Sequence, residues 1–155
     1  MKLRILTVGK LSNKQIRLIC EDYFHRIGRF VSIEAFHVKQ EKIASLSDGE
    51  ILDKECDRIL DKITARDHVV VLDKSGRQMS SEIFSEYFNK LAIGGIKEVT
   101  FIIGGPLGVD ERVTSRADLL LSLSNMTFQH ELATAVLLEQ IYRAFSILRG
   151  EKYHK

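Results

Sequence analysis

The 155-residue chain has one proline, two cysteines, and no apolar run approaching the roughly 18 residues of a membrane-spanning helix. With one proline, no repeats and no low-complexity tract, nothing in the sequence acts as a linker. Residues 1–155 are therefore expected to form a single domain, a length that suffices to bury a full core. Cys20 and Cys56 lack metal-ligand spacing. Cys20 extends the stripe Ile16, Ile19, Tyr23, and Cys56 sits among Leu52, Ile59 and Ile63, so both read as reduced core residues in a cytoplasmic protein. The first ten residues are too charged and their apolar run too short for a signal peptide. Apolar residues at 45% and charged residues at 28% are ordinary for a globular protein, which excludes neither an enzyme nor a binding module.

Acid is missing from residues 1–20, where Lys2, Arg4, Lys10, Lys14 and Arg17 give a local charge of +5. Residues 143–155 add Arg143, Arg149, Lys152 and Lys155 against Glu151, for +3. The net charge is only +2, so the middle of the chain is acidic. If the two basic ends share a face, they form a patch suited to a polyanion; otherwise they are solvated surface.

Strand and helix patterns alternate along the chain. Strands are expected at 3–8, 31–38, 68–73, 98–103 and 119–123. Helices are expected from an N-cap at Ser12 to about Ile27, from the capping box Ser47-Asp48-Gly49-Glu50 to about Ile63, and at 81–91. A short segment at 110–117 and a long helix from Glu131 to Leu148 complete the series. The continuous apolar run Val69-Val70-Val71-Leu72 belongs to a strand covered on both faces, so the fold class is α/β, a mainly parallel sheet flanked by helices.

Familiar sites are absent. Gly104-Gly105-Pro106-Leu107-Gly108 is not a dinucleotide fingerprint, and no phosphate-loop consensus or nucleophile elbow occurs. His130-Glu131 opens like a zinc-protease helix but has no second histidine four residues after the first. What remains is a pair of loops, 104–108 and 123–128, each following an apolar strand, where α/β sheets bind ligands. The double glycine serves either a turn needing positive φ or the close approach of a ligand to backbone. Met126 and Phe128 read as core or as pocket wall. Tyr142 and Phe145 lie on the apolar stripe of the last helix, leaving Arg143 off it. The tail Lys152-Tyr153-His154-Lys155 is either a frayed end or a set of groups for stacking on a base and holding phosphate.

The order of Leu-Thr-Val-Gly-Lys-Leu, Ile-Gly-Gly-Pro-Leu-Gly, Leu-Ser-Asn-Met-Thr-Phe-Gln-His and Glu-Gln-Ile-Tyr-Arg-Ala-Phe, closing on Tyr-His-Lys, resembles the RlmH (YbeA-like) family of the SPOUT superfamily. The resemblance covers essentially the whole chain. It implies a C-terminal trefoil knot, a topology so rare that no pattern argument would propose it. It also implies a homodimer using S-adenosylmethionine to methylate N3 of a pseudouridine in large-subunit (23S) ribosomal RNA. Carried over, its cofactor contacts fall on Leu72, Gly104, Leu123, Ser124, Asn125, Met126, Thr127 and Phe128. The sequence departs from the family at Gln129, where proline is usual, and at Thr134, where arginine often stands.

In that reading no metal is needed. His154 places or deprotonates the target base, Tyr153 stacks or hydrogen-bonds beside it, and Arg143 holds phosphate or the imide anion, with His130 as the alternative base. The tail is expected to be poorly ordered without RNA. Two rivals stand beside this reading: another nucleotide-dependent α/β enzyme, and a non-catalytic ribosome-binding module.

Overall fold

The computed structural model describes residues 1–42 and 46–153. Five strands, β1 (Lys2–Val8), β2 (Ser32–Val38), β3 (His68–Gln78), β4 (Glu98–Ile103) and β5 (Leu119–Ser122), form one sheet in the order β2-β1-β4-β3-β5. Every pairing is parallel, so all five strands end on the same side of the sheet. Helices α1 (Lys14–Ile27), α3 (Ser81–Ile93) and α5 (His130–Leu148) cover one face. Helices α2 (Asp48–Leu60) and α4 (Glu111–Ser115) cover the other. Among the described residues, no helix is long and apolar enough to cross a membrane.

The valine run explains the centre of the sheet. Val70 enters the core under α1, α3 and α5, while Val69 and Val71 enter the core under α2 and α4. All three are fully buried, as the absence of alternation requires. Cys20 and Cys56 are buried thiols, one in each core, and burial first of all pushes the pKa of each up to about 11.

Three expectations shift. Helix α1 is capped by Asn13, whose Oδ1 accepts from the Gln15 and Ile16 amides, because Ser12 is engaged elsewhere. Helix α2 has the expected Ser47–Glu50 capping box but stops at Leu60, and Ile51, Glu55, Cys56 and Ile59 make its inward face, with Leu52 only half-buried. Strand β3 runs past Asp73 to Gln78. It bulges between Leu72 and Arg77, both of which pair with Leu121. A Cβ at Gly76 would stand 2.6 Å from the Leu120 carbonyl carbon, so only glycine lets the two backbones meet there.

Candidate functional site

The loops leaving β3, β4 and β5 enclose a cleft of about 640 Å³ at the carboxyl ends of the strands. The loop after β4 folds on itself: Gly105 bridges Gly108, and the Gly108 amide donates to the Gly105 carbonyl at 2.9 Å. Neither Gly104 nor Gly105 has positive φ; Gly108 does, at 81°. The double glycine therefore answers to close packing. A Cβ on Gly104 would lie 2.5 Å from the Gly108 carbonyl oxygen and 2.9 Å from Val109 Cγ1. That side chain would meet the loop itself, so the glycine shapes the cleft from behind. Downstream, Asp110 caps α4 while the Arg112 guanidinium pairs with Asp110 and with Asp53 and Asp57 of α2, clasping the loop's far end to that helix.

The loop after β5 is ordered by its own hydroxyls. Ser122 Oγ donates to the Ser124 carbonyl, and Ser124 Oγ accepts from the Met126 amide, both at 3.0 Å. Leu72, Gly104, Leu123, Ser124, Met126, Thr127 and Phe128 all line the cleft. Asn125 is outside that wall; its Oδ1 accepts from Gln78 Nε2 at 2.8 Å. Met126 and Phe128 are not core: they are 77% and 39% exposed. At the floor, Asp73 accepts from the Ser75 hydroxyl and amide, which hold its carboxyl below the usual range.

Helix α5 starts at the cleft. His130 lines it, and among the described residues its buried Nε2 has no hydrogen-bond partner. Glu131, 2% exposed, turns the other way and caps α1. Its carboxylate accepts from the Ser12 amide (3.0 Å), the Ser12 hydroxyl (2.6 Å) and the Asn13 amide (2.9 Å). Burial alone would raise its pKa, but these donors together hold it below the usual carboxylate range. Sequence reading missed this role of Glu131, which figured there as the start of the last helix and as half of a failed zinc motif. Gln129 precedes α5 without a side-chain cap bond, and Thr134 is buried with its hydroxyl donating to the His130 carbonyl at 2.8 Å.

A second cluster lies farther along α5. The Arg143 guanidinium pairs with Glu139 one turn earlier. Tyr153 folds back onto the helix: its hydroxyl donates to Glu139 Oε1 at 3.1 Å and lies 3.3 Å from the Tyr23 hydroxyl of α1. Its ring meets Tyr142 edge-on at 4.7 Å, with the Arg143 guanidinium 4.8 Å from the ring centre. Burial pushes the Tyr153 phenol up, and the Tyr23 and Glu139 contacts push it further, so it stays protonated near neutral pH. The expectation of a poorly ordered tail does not fit Tyr153, because the apolar and charged partners it needs are already on α1 and α5. Glu139 and Tyr23 were not anticipated; the four-residue spacing of Glu139 and Arg143 was the available signal. His154 lies outside the described residues.

The basic stretch at the start of the chain is divided between the two ends of β1. Lys2 and Arg4 sit at the start of β1, away from the cleft, and are paired with Glu34, with Arg4 also meeting Asp67 and Glu98. Lys10 and Lys14 follow β1 at the other end and are exposed.

Comparison with known proteins agrees with this geometry. The family model described as "Predicted SPOUT methyltransferase" matches residues 1–154. Proteins named ribosomal RNA large subunit methyltransferase H are similar over the full length of both chains. That from Streptococcus suis (strain 05ZYH33) is 44% identical, and that from Leuconostoc citreum (strain KM20) is 42% identical. Among solved structures, a probable methylase family protein from Haemophilus influenzae Rd KW20 superposes with a TM-score of 0.55 at 13% identity, covering 99% of this chain and 70% of that one. A putative methyltransferase from Legionella pneumophila, solved with S-adenosylmethionine bound, gives 0.53 at 11% identity, covering 93% and 66%. At those identities the likeness is one of fold.

Proposed function

This chain belongs to the SPOUT methyltransferase family, and from that premise we propose that it transfers a methyl group from S-adenosylmethionine to large-subunit ribosomal RNA, at N3 of a pseudouridine. The observation that carries the reading is the cleft at the ends of β3, β4 and β5. Its size falls in the range of about 300–1,000 Å³ typical of small-ligand sites. Its walls combine backbone and apolar side chains with a few polar ones, among them Asp73, Ser124, Thr127 and His130, suited to an adenosine whose ring edge needs a few hydrogen bonds and whose faces need apolar cover.

Leu72, Gly104, Leu123, Ser124, Met126, Thr127 and Phe128 would hold the cofactor, which supplies an electrophilic methyl on sulfonium. The protein's part is to align the acceptor nitrogen and ease loss of its proton. Alignment alone contributes up to about 7–11 kcal/mol in favourable cases. Arg143 is positioned by Glu139 to meet an anion, whether phosphate or the developing imide. Tyr153, held protonated, donates a hydrogen bond; it is no base at neutral pH. The proton acceptor is His154 in this reading, with His130 at the cleft wall as the alternative.

Arg143 follows His130 by 13 residues, about 20 Å of helix rise, and neither it nor Tyr153 lines the cleft. A two-fold homodimer resolves that separation by bringing a second copy of the cluster toward each cleft. Exposed Leu18 and Ile19 on α1 and Leu132 on α5 provide an apolar face for it. The single-domain organisation, the cytoplasmic location and the knotted threading implied by the family resemblance are parts of the same proposal.

The test is mass spectrometry of large ribosomal subunits from a strain lacking the gene, before and after incubation with purified protein and S-adenosylmethionine. One added methyl on a single pseudouridine is expected. No added methyl, with no S-adenosylmethionine binding by calorimetry, would favour the non-catalytic ribosome-binding reading.

A further inference from the structure

A second cavity, of about 450 Å³, opens beside the cleft between the start of α3 and the middle of α5. The two hollows share Leu121, Ser122 and Leu123, so one short stretch of chain is a wall of both. Strand β5 is the last of the sheet, so the cavity lies at an edge with no further strand beyond it. Met79, Phe84, Leu123 and Val136 make its apolar surface. Its polar side is Ser80, Ser81, Glu82, Ser122 and Gln140, with a bond from Ser81 Oγ to Gln140 Oε1 at 2.7 Å.

We propose that this cavity seats a pyrimidine base lifted out of the RNA stack, beside the cofactor; the inference rests on the RNA-methyltransferase reading above. Enzymes that act on a base within folded nucleic acid extrude it, packing its faces on apolar side chains and reading its pairing edge by hydrogen bonds. A pseudouridine, linked to its sugar through carbon, offers N1–H beside a carbonyl in addition to the N3–H that is methylated. Gln140 donates one amide hydrogen to Glu139 Oε2 at 2.7 Å and has a second to offer a carbonyl. Ser81 Oγ, donating to Gln140, keeps lone pairs that accept from N1–H, which leaves N3 to face the methyl. Leu123 and Met79 supply apolar surface for the ring. The Gln140 amide also leads to Glu139, which holds Arg143 and Tyr153. A base seated here is thus joined to that cluster through two side chains.

The inference is tested by photo-crosslinking the full-length protein to ribosomes from cells grown on 4-thiouridine, then mapping the attached peptides. Attachment within residues 79–84 or 136–140 is expected; attachment confined to α1 or to the 104–108 loop would overturn it. Val136→Phe and Met79→Phe, which fill the cavity without entering the cleft wall, provide a second readout. Each should keep its melting temperature and bind S-adenosylmethionine within about two-fold of wild type. Each should methylate ribosomes about 30-fold more slowly or worse. A folded filled variant that methylates at the normal rate sinks the subsite and leaves the cofactor cleft standing. If instead the unaltered protein transfers no methyl group to ribosomes, the RNA-methyltransferase reading falls, and this inference with it.

Discussion

The two halves of α5 do different work with different materials. At its start the cleft is walled by backbone, apolar side chains and a few polar ones, and its shape depends on glycines and on hydroxyls bonded within the loops. Past its middle, Glu139, Arg143, Tyr153 and Tyr23 form a knot of charge and phenol with little backbone involvement. The first half suits holding the flat, uncharged adenosine of the cofactor. The second suits a transient charge. Binding and rate should therefore respond to different substitutions.

The largest separation is expected at the cluster. Arg143→Ala leaves Glu139 with an uncompensated charge and removes the anion partner, so methylation of ribosomes should fall about 10²–10³-fold, the order lost with one electrostatic stabiliser. Binding of S-adenosylmethionine by the same variant should stay at the wild-type level. Glu139→Gln should reproduce much of the rate loss by releasing both Arg143 and Tyr153, measurable as a fall in single-turnover rate at saturating ribosomes.

Gly104→Ala reverses the pattern. Its Cβ collides with the Gly108 carbonyl oxygen, so the loop must move. Strain of about 1–3 kcal/mol, carried through to the cleft, should weaken S-adenosylmethionine binding by about 5- to 150-fold in calorimetry. The Arg143–Glu139 pair is remote from that loop, so the rate at saturating cofactor should recover substantially.

A smaller effect separates two buried carboxylates. Glu131 accepts three hydrogen bonds and its pKa is lowered; Glu55 is buried with its pKa raised, chiefly by burial, though it accepts from the Glu41 amide. A depressed carboxylate stabilises the fold above its unfolded pKa, and that contribution is lost as pH falls through the folded value. A raised one works in the opposite sense, weakening the fold as pH rises through its folded value. Glu131→Gln should thus cost about 1–3 kcal/mol near neutral pH and progressively less in acid, seen as converging melting curves. Glu55→Gln should narrow the loss of stability on going from acid to neutral pH. Smallest of all, Lys2→Ala should hardly change the salt dependence of ribosome binding, since Lys2 is paired with Glu34 away from the cleft.

Much of this was legible in the chain because it rests on periodicity and local chemistry. The valine run, the Ser47–Glu50 capping box and the glycine turn after β4 are signals carried within a few residues. The cleft loops followed from where apolar strands end, and the structure joins them in one cavity. What was hidden depends on distant partners. Ser12 looked like a cap until Glu131, 119 residues later, claimed it and passed the role to Asn13. Tyr153 read as a loose end because its partners, Tyr23 and Glu139, become neighbours only once α1 and α5 meet. The bulge in β3 was hidden for the same reason, as Gly76 matters only against the backbone of β5.

The separation of binding from chemistry is tested most directly by calorimetric titration of S-adenosylmethionine into Gly104→Ala and Arg143→Ala side by side. Weakened binding by the first and wild-type binding by the second is the predicted result. Wild-type binding by a folded Gly104→Ala together with lost binding by Arg143→Ala would contradict it, and would put the cofactor at the charged cluster.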